Sequence, residues 1–171
     1  NESAETMQSG TNTIKISTLK ARLTKDITVN GGTVADWEGQ SPMYSWIPIG
    51  GYLAGSKVRY QGHFDGQGYN ISGIYCKVST TTANHGIGLF GAVHYDGRVE
   101  NLKLTNSYFE AYNQTSNIYL GSIAGYNRGC IDKVYSDAIV KGTGSLVAGI
   151  AGRSEGTIDE SWFSGSVEAG G

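Results

Sequence analysis

The sequence predicts an all-β fold, a β-solenoid in which short strands stack coil upon coil, and three observations carry that expectation. The first is self-similarity. Gly129-Cys130-Ile131-Asp132-Lys133-Val134-Tyr135-Ser136 lies over Gly156-Thr157-Ile158-Asp159-Glu160-Ser161-Trp162-Phe163-Ser164 once one residue slips near Tyr135. Each copy follows a short apolar piece, Ser122-Ile123-Ala124-Gly125 or Gly149-Ile150-Ala151-Gly152. A looser third copy lies upstream, with Gly88-Leu89-Phe90-Gly91 leading to Gly97-Arg98-Val99-Glu100-Asn101-Leu102. The second is spacing: Gly91, Gly125 and Gly152 are 34 and 27 residues apart. A repeat of that length without helical periodicity means stacked β-coils. The third is composition, 26 glycines against two prolines with no collagen-like triplet, which suits tight corners between short strands.

Taken in order, residues 1–12 are polar, small and aperiodic, so an unstructured start is expected. Residues 13–50 read as a capping region and first coils. Ile14 and Ile16 alternate with polar neighbours, and Leu23, Ile27 and Val29 sit among threonines and lysines, which favours short half-buried strands over a helix at 18–23. Residues 51–171 carry the repeated coils, and the whole chain is one domain. Because it ends inside a repeat, it is expected to be a piece of a longer protein, with further repeats beyond residue 171.

Aligned copies place Leu89, Ile123 and Ile150 in one interior column and Val99, Ile131 and Ile158 in another. Stacked about 4.8 Å apart, such residues form apolar ladders worth about 1.5–3 kcal/mol per fully buried member. The columns Gly91/Gly125/Gly152 and Gly97/Gly129/Gly156 are expected at corners. Glu100, Asp132 and Asp159 follow the interior residues directly and are therefore expected to stack facing outward. Like charges in register repel by up to about 1 kcal/mol per pair. Water with Lys103 or Lys133 offsets this, and a calcium ion on the ladder is the alternative.

Several patterns point to recognition. Trp37, Tyr44 and Trp46 fall within ten residues and could stack on sugar rings or cover the first coil's interior. Two segments read as insertions leaving the stack, a threonine-rich one around Thr80–Asn84 and another at Tyr108–Asn117 with Tyr108, Phe109 and Tyr112. Insertions in solenoids gather on one face and often bind partners. His63 beside Asp65 could be drawn as an acid/base pair, but no nucleophile or oxyanion donor accompanies it. Asp65-Gly66 lacks the ligand offsets of a calcium hand. Cys76 and Cys130 lack zinc spacing, and whether they are bridged is open.

Thirteen basic and fifteen acidic residues leave a net charge of −2 with no basic block, which argues against nucleic acid. No run approaches a membrane helix and the opening residues show no basic-then-apolar pattern, so direct membrane insertion is not expected.

With the motifs laid out, Gly88-Leu89-Phe90-Gly91, Val147-Ala148-Gly149-Ile150-Ala151-Gly152, Glu155-Gly156-Thr157-Ile158 and Phe163-Ser164-Gly165-Ser166-Val167 resemble the GLUG repeat of bacterial secreted and surface proteins. Trp46-Ile47-Pro48-Ile49-Gly50 and the stretch Phe64 to Ile74 are similar to the segment preceding such repeats. The resemblance covers about Leu23 to Gly171, with Ser122 and Ala148 standing where the family often has glycine. It implies a right-handed parallel β-helix on an exported protein, extracellular or at the bacterial cell surface. Such repeats accompany adhesins and the non-catalytic regions of immunoglobulin A-cleaving zinc metallopeptidases. His63, His85 and His94 do not form those enzymes' zinc motif, so the resemblance supplies no catalytic residue.

The expected function is thus a non-catalytic structural or binding module, serving adhesion or ligand presentation. Its partner would be a host or matrix glycan or protein, met through Trp37, Tyr44, Trp46, Tyr108, Phe109 and Tyr112, with no cofactor. Two alternatives stand: a polysaccharide-active, lyase-like enzyme using Glu100, Asp132 and Asp159 with Lys103, Lys133 or Arg153 as base, or a non-catalytic segment of a GLUG-containing zinc peptidase.

Overall fold

The computed structural model describes residues 6–9, 12–15, 19–37, 40–53, 56–79, 85–112, 118–143 and 146–170. Thr80–Asn84, expected as an insertion, lies outside them. Among the described residues the protein is all-β, with one 3-10 turn, Val34–Trp37, and no α-helix.

The chain opens with an antiparallel pair, β1 (Thr6–Ser9) and β2 (Asn12–Lys15), partly within the stretch expected to be unstructured. Then come β3 (Ala21–Arg22), β4 (Ile27–Thr28) and a second antiparallel pair, β5 (Gly51–Leu53) and β6 (Ser56–Val58). β7 (His63–Asp65), β8 (Asn70–Ser72) and β9 (Tyr75–Ser79) begin the regular stack. One full pass follows in β10 (His85–Ile87), β11 (Phe90–Val93), β12 (Arg98–Thr105) and β13 (Tyr108–Tyr112). A second consists of β14 (Ile118–Leu120), β15 (Ala124–Asn127), β16 (Cys130–Ser136) and β17 (Ile139–Thr143). The third is β18 (Leu146–Val147), β19 (Ala151–Ser154), β20 (Thr157–Asp159) with β21 (Trp162–Phe163), and β22 (Ser166–Gly170).

Each pass lays one segment on each of four sheets, β10-β14-β18, β11-β15-β19, β3-β7-β12-β16-β20 and β9-β13-β17-β22, and within these sheets every pairing is parallel. Val99, Ile131 and Ile158 lie in register, as the repeat requires. Val99 and Ile131 are fully buried, but Ile158 is 40% exposed because β20 is the outermost strand of its sheet. Leu89 and Ile123 are likewise buried, and Ile150 is partly buried against the same core. Buried polar side chains tie one pass to the next. The Asn127 amide nitrogen donates to the Thr157 carbonyl at 3.1 Å, and Ser122 Oγ donates to the Gly149 carbonyl at 2.5 Å.

Two expectations need correction. Gly91, Gly125 and Gly152 are not corners, since they lie inside β11, β15 and β19. A Cβ on Gly125 would stand 2.2 Å from the Ile87 backbone nitrogen, so glycine is needed for close backbone approach between facing strands. Gly97, Gly129 and Gly156 do lie between strands, as expected, and a further bend follows each: Asn101 (φ 52°), Lys133 (φ 52°) and Glu160 (φ 40°) adopt left-handed backbone in equivalent positions. That residue bends the strand and resets its alternation, so Val99 and Leu102 both point inward, as do Ile131 and Val134.

The second correction concerns the insertion expected at Tyr108–Asn117, of which 113–117 lie outside the described residues and Tyr108–Tyr112 are described. Instead of leaving the stack, Tyr108–Tyr112 is β13, paired in parallel with β9 and β17. Phe109 and Ala111 enter the core while Tyr108, Glu110 and Tyr112 share the outer face.

Candidate functional site

The outer face of the β9-β13-β17-β22 sheet carries rows set by register. Lys77, Glu110, Lys141 and Glu168 stand side by side on successive strands, an alternation of charge that turns repulsion into cross-strand attraction. Lys77 Nζ is 2.8 Å from Glu110 Oε2, and Lys141 Nζ is 3.0 Å from Glu168 Oε1. The adjacent row begins with Tyr75 and Tyr108, whose rings stack at 5.6 Å and 12°.

Over these rows lie the 3-10 turn and the residues Gln40 and Ser41. Asn106, in left-handed conformation, anchors the turn by donating to the Gly32 carbonyl at 2.8 Å and accepting from the Val34 amide at 3.1 Å. Trp37 packs edge-on against Tyr75 at 6.0 Å, and the Ser41 and Tyr75 hydroxyls are 2.9 Å apart. Between the turn and the sheet lies a cleft of about 350 Å³. Its floor is Tyr75, Lys77, Tyr108, Glu110, Ile139 and Lys141, and its wall is formed by Val34, Ala35, Trp37, Gln40 and Ser41.

The electrostatics of this floor are fixed. Burial pushes the Glu110 carboxyl up, but the Lys77 ammonium and the hydroxyls of Tyr112 and Tyr108 outweigh it and hold the group below its usual range. Glu110 in turn raises Lys77 and Tyr112, while burial and the same carboxylate raise Tyr108. The cleft therefore presents the Glu110 carboxylate, the Lys77 ammonium and the Tyr108 hydroxyl, each shifted away from neutral pH. That suits orientation of a polar ligand better than proton transfer, which works best with a group poised near the operating pH.

Of the residues expected to bind, Trp37 and Tyr108 line this cleft. Tyr112 is 42% exposed on the same strand face. Tyr44 borders a neighbouring, more open depression of about 460 Å³ that shares Trp37, Gln40 and Ser41. One candidate is corrected, and a second takes the interior reading. Phe109 has no exposed surface and belongs to the core, as inward alternation on β13 requires. Trp46 packs against the core with its indole N–H donating to the Leu89 carbonyl at 3.2 Å, so it covers the first coil's interior. Glu110, Lys77 and Lys141 carried no sequence signal, because only the strand register brings them together.

The acidic row Glu100, Asp132 and Asp159 stacks as expected, with Asp65 extending it by one. Its repulsion is offset mainly by Arg98, which binds Glu100 through Nε and Asp132 through Nη2 at 2.7 Å. Lys133 is 4.0 Å from Asp132. His63 pairs with Glu100 at 2.6 Å, not with Asp65, which accepts from the Gln67 amide instead. Among the described residues no group of three or more His, Cys, Asp or Glu side chains is arranged to hold a metal ion. Cys76 and Cys130 are both free; Cys76 is buried, which raises its thiol to about 12, and Cys130 faces Arg98 Nη1 at 3.2 Å.

No protein-family model matches the chain, and no solved structure matches it. A protein named "Putative Gly-rich membrane protein" from Evansella cellulosilytica is 37% identical over 89 residues, 52% of this chain and 9% of that protein. The chain thus spans less than a tenth of that relative's length. Among the described residues no helix is long and apolar enough to cross a membrane, which says nothing of β-barrels.

Proposed function

We propose that the chain is a right-handed parallel β-helix serving as a non-catalytic binding module of an exported bacterial surface or secreted protein, and that it holds its ligand in the cleft over β9, β13 and β17. The observation that carries this is the cleft floor: stacked aromatic rings beside charged groups locked in their protonation states, on a stiff sheet. Aromatic rings with convergent hydrogen-bonding groups in about 350 Å³ suit a single sugar unit or a similarly sized polyhydroxylated group. The GLUG-like succession of motifs supports the exported location, and a relative named as a membrane protein accords with it. A host or matrix glycan is the partner favoured.

The test is a calorimetric screen of mono- and disaccharides against the parent and Ala35→Trp, which fills the cleft from an exposed wall position. Saturable binding by the parent and none by the variant is expected, without turnover of any polysaccharide. Release of unsaturated uronide products, abolished by Glu110→Gln, would replace this reading with a lyase.

A further inference from the structure

The outer face of the β12-β16 sheet carries a row of exposed aromatic and cationic side chains. Trp162 is 60% exposed although β21 is held on β16 with Tyr135 and Trp162 in register. The two rings lie 5.4 Å apart at 49° and form a ledge, and Tyr135 is fixed by a 2.8 Å hydrogen bond between its hydroxyl and that of Ser164. Trp162 lies on the outermost strand of its sheet and stands on the outer face, while its neighbour Phe163 packs against the core.

The next outward residue in this row is Lys103, paired in register with Tyr135. Its ammonium makes no ion pair or hydrogen bond among the described residues. The row borders an open trough of about 470 Å³ that also takes in Gln67, Asn101 and Lys133. Lys133 is loosely engaged, 3.7 Å from the exposed Glu160 and 4.0 Å from Asp132. From Lys103 to Trp162 the row spans two strand spacings, about 10 Å. Stackable faces, then a phenol, then an unpaired cation, with amides alongside, is a sequence of chemistries along a line.

We propose that this trough binds an acidic glycan, a short chain of uronic acid units. The apolar faces of its rings would lie on Trp162 and Tyr135, and a carboxylate would meet Lys103 and Lys133. Lys103 and Lys133 both line the trough and offer a small number of cationic contacts, enough for a carboxylate. They do not suffice for a phosphate backbone, whose affinity comes from many cation contacts. The surface is separate from the cleft over β9, β13 and β17 and shares no residue with it.

Calorimetric titration of the purified chain with oligogalacturonate, cello-oligosaccharide and oligothymidylate tests this. Oligogalacturonate is expected to bind best, more weakly as NaCl rises. Trp162→Ala should weaken it about tenfold or more, the cost of one lost stacking contact. Lys103→Gln should weaken it less and reduce its salt dependence, while Ala35→Trp leaves it unchanged. Because Lys103 is exposed, that variant decides the matter even if Trp162→Ala unfolds the last pass. Absence of oligogalacturonate binding, equal affinity for the neutral oligosaccharide, tighter binding of oligothymidylate, or insensitivity to Lys103→Gln would each overturn the proposal. Loss of oligogalacturonate binding in Ala35→Trp would relocate the ligand to the cleft.

Discussion

Glu110 is 4% exposed and yet ionised, because Lys77 and two tyrosine hydroxyls converge on it from its own strand and the one before. Its folded-state carboxyl sits below the ordinary 4.5, so the folded protein binds that proton more weakly than the unfolded chain does. The resulting stabilisation is complete above about pH 4.5 and is lost as pH falls through the folded value. Glu110→Gln should therefore cost about 2 kcal/mol at pH 7 and flatten the acid limb of a stability-against-pH curve measured by urea unfolding. An opposite sign is expected at Lys133, whose φ of 52° is strained for a residue other than glycine or asparagine. Its ion pair with Glu160 spans 3.7 Å between exposed groups and contributes little. Relief of backbone strain should win, so Lys133→Asn should raise the melting temperature by about 2 °C. A fall would show that the ion pair matters more than the backbone.

At the scale of elements, Gly125 shows why composition alone misleads. Abundant glycine is a fair signal of corners, yet Gly91, Gly125 and Gly152 are strand residues at which a side chain would strike a facing backbone. Gly125→Ala, nominally a small change favouring extended structure, should cost about 3 kcal/mol in chemical denaturation. The apolar columns were legible because like residues stack on like: Val99, Ile131 and Ile158 stand in the predicted register. The strand Tyr108–Tyr112 was less so, since its outward tyrosines imitate a recognition loop while Phe109 and Ala111 supply the alternation that gives it away. The cleft was legible only in part. Trp37 and Tyr108 stand out as aromatics, but Lys77, Glu110 and Lys141 are more than thirty residues apart and meet only through register. Trp162 escaped notice because it lies in one of the best-matched copies, where resemblance suggests scaffold.

For the molecule as a whole, parallel stacking makes stability a nearest-neighbour property, with burial complete in the middle passes and thinning outward. Ile131 has no exposed surface, whereas Ile158 is 40% exposed in the same column. Ile131→Ala should cost about 3 kcal/mol and Ile158→Ala under about 1 kcal/mol. Amide hydrogen exchange should rank the passes in the same order, β16 protected longest and β20 least. Equal protection in both strands would mean that the passes unfold as one block.

Register also reveals where the chain tolerates change in length. Five residues separate Tyr112 from Ile118, but only two separate Thr143 from Leu146, and the strands on both sides of this step remain in parallel register. The connection after β13 can thus lengthen or shorten without disturbing either neighbouring ladder. For protein engineering it is a splice point, where an epitope or affinity peptide could be grafted onto the scaffold while the stacked strands keep their alignment.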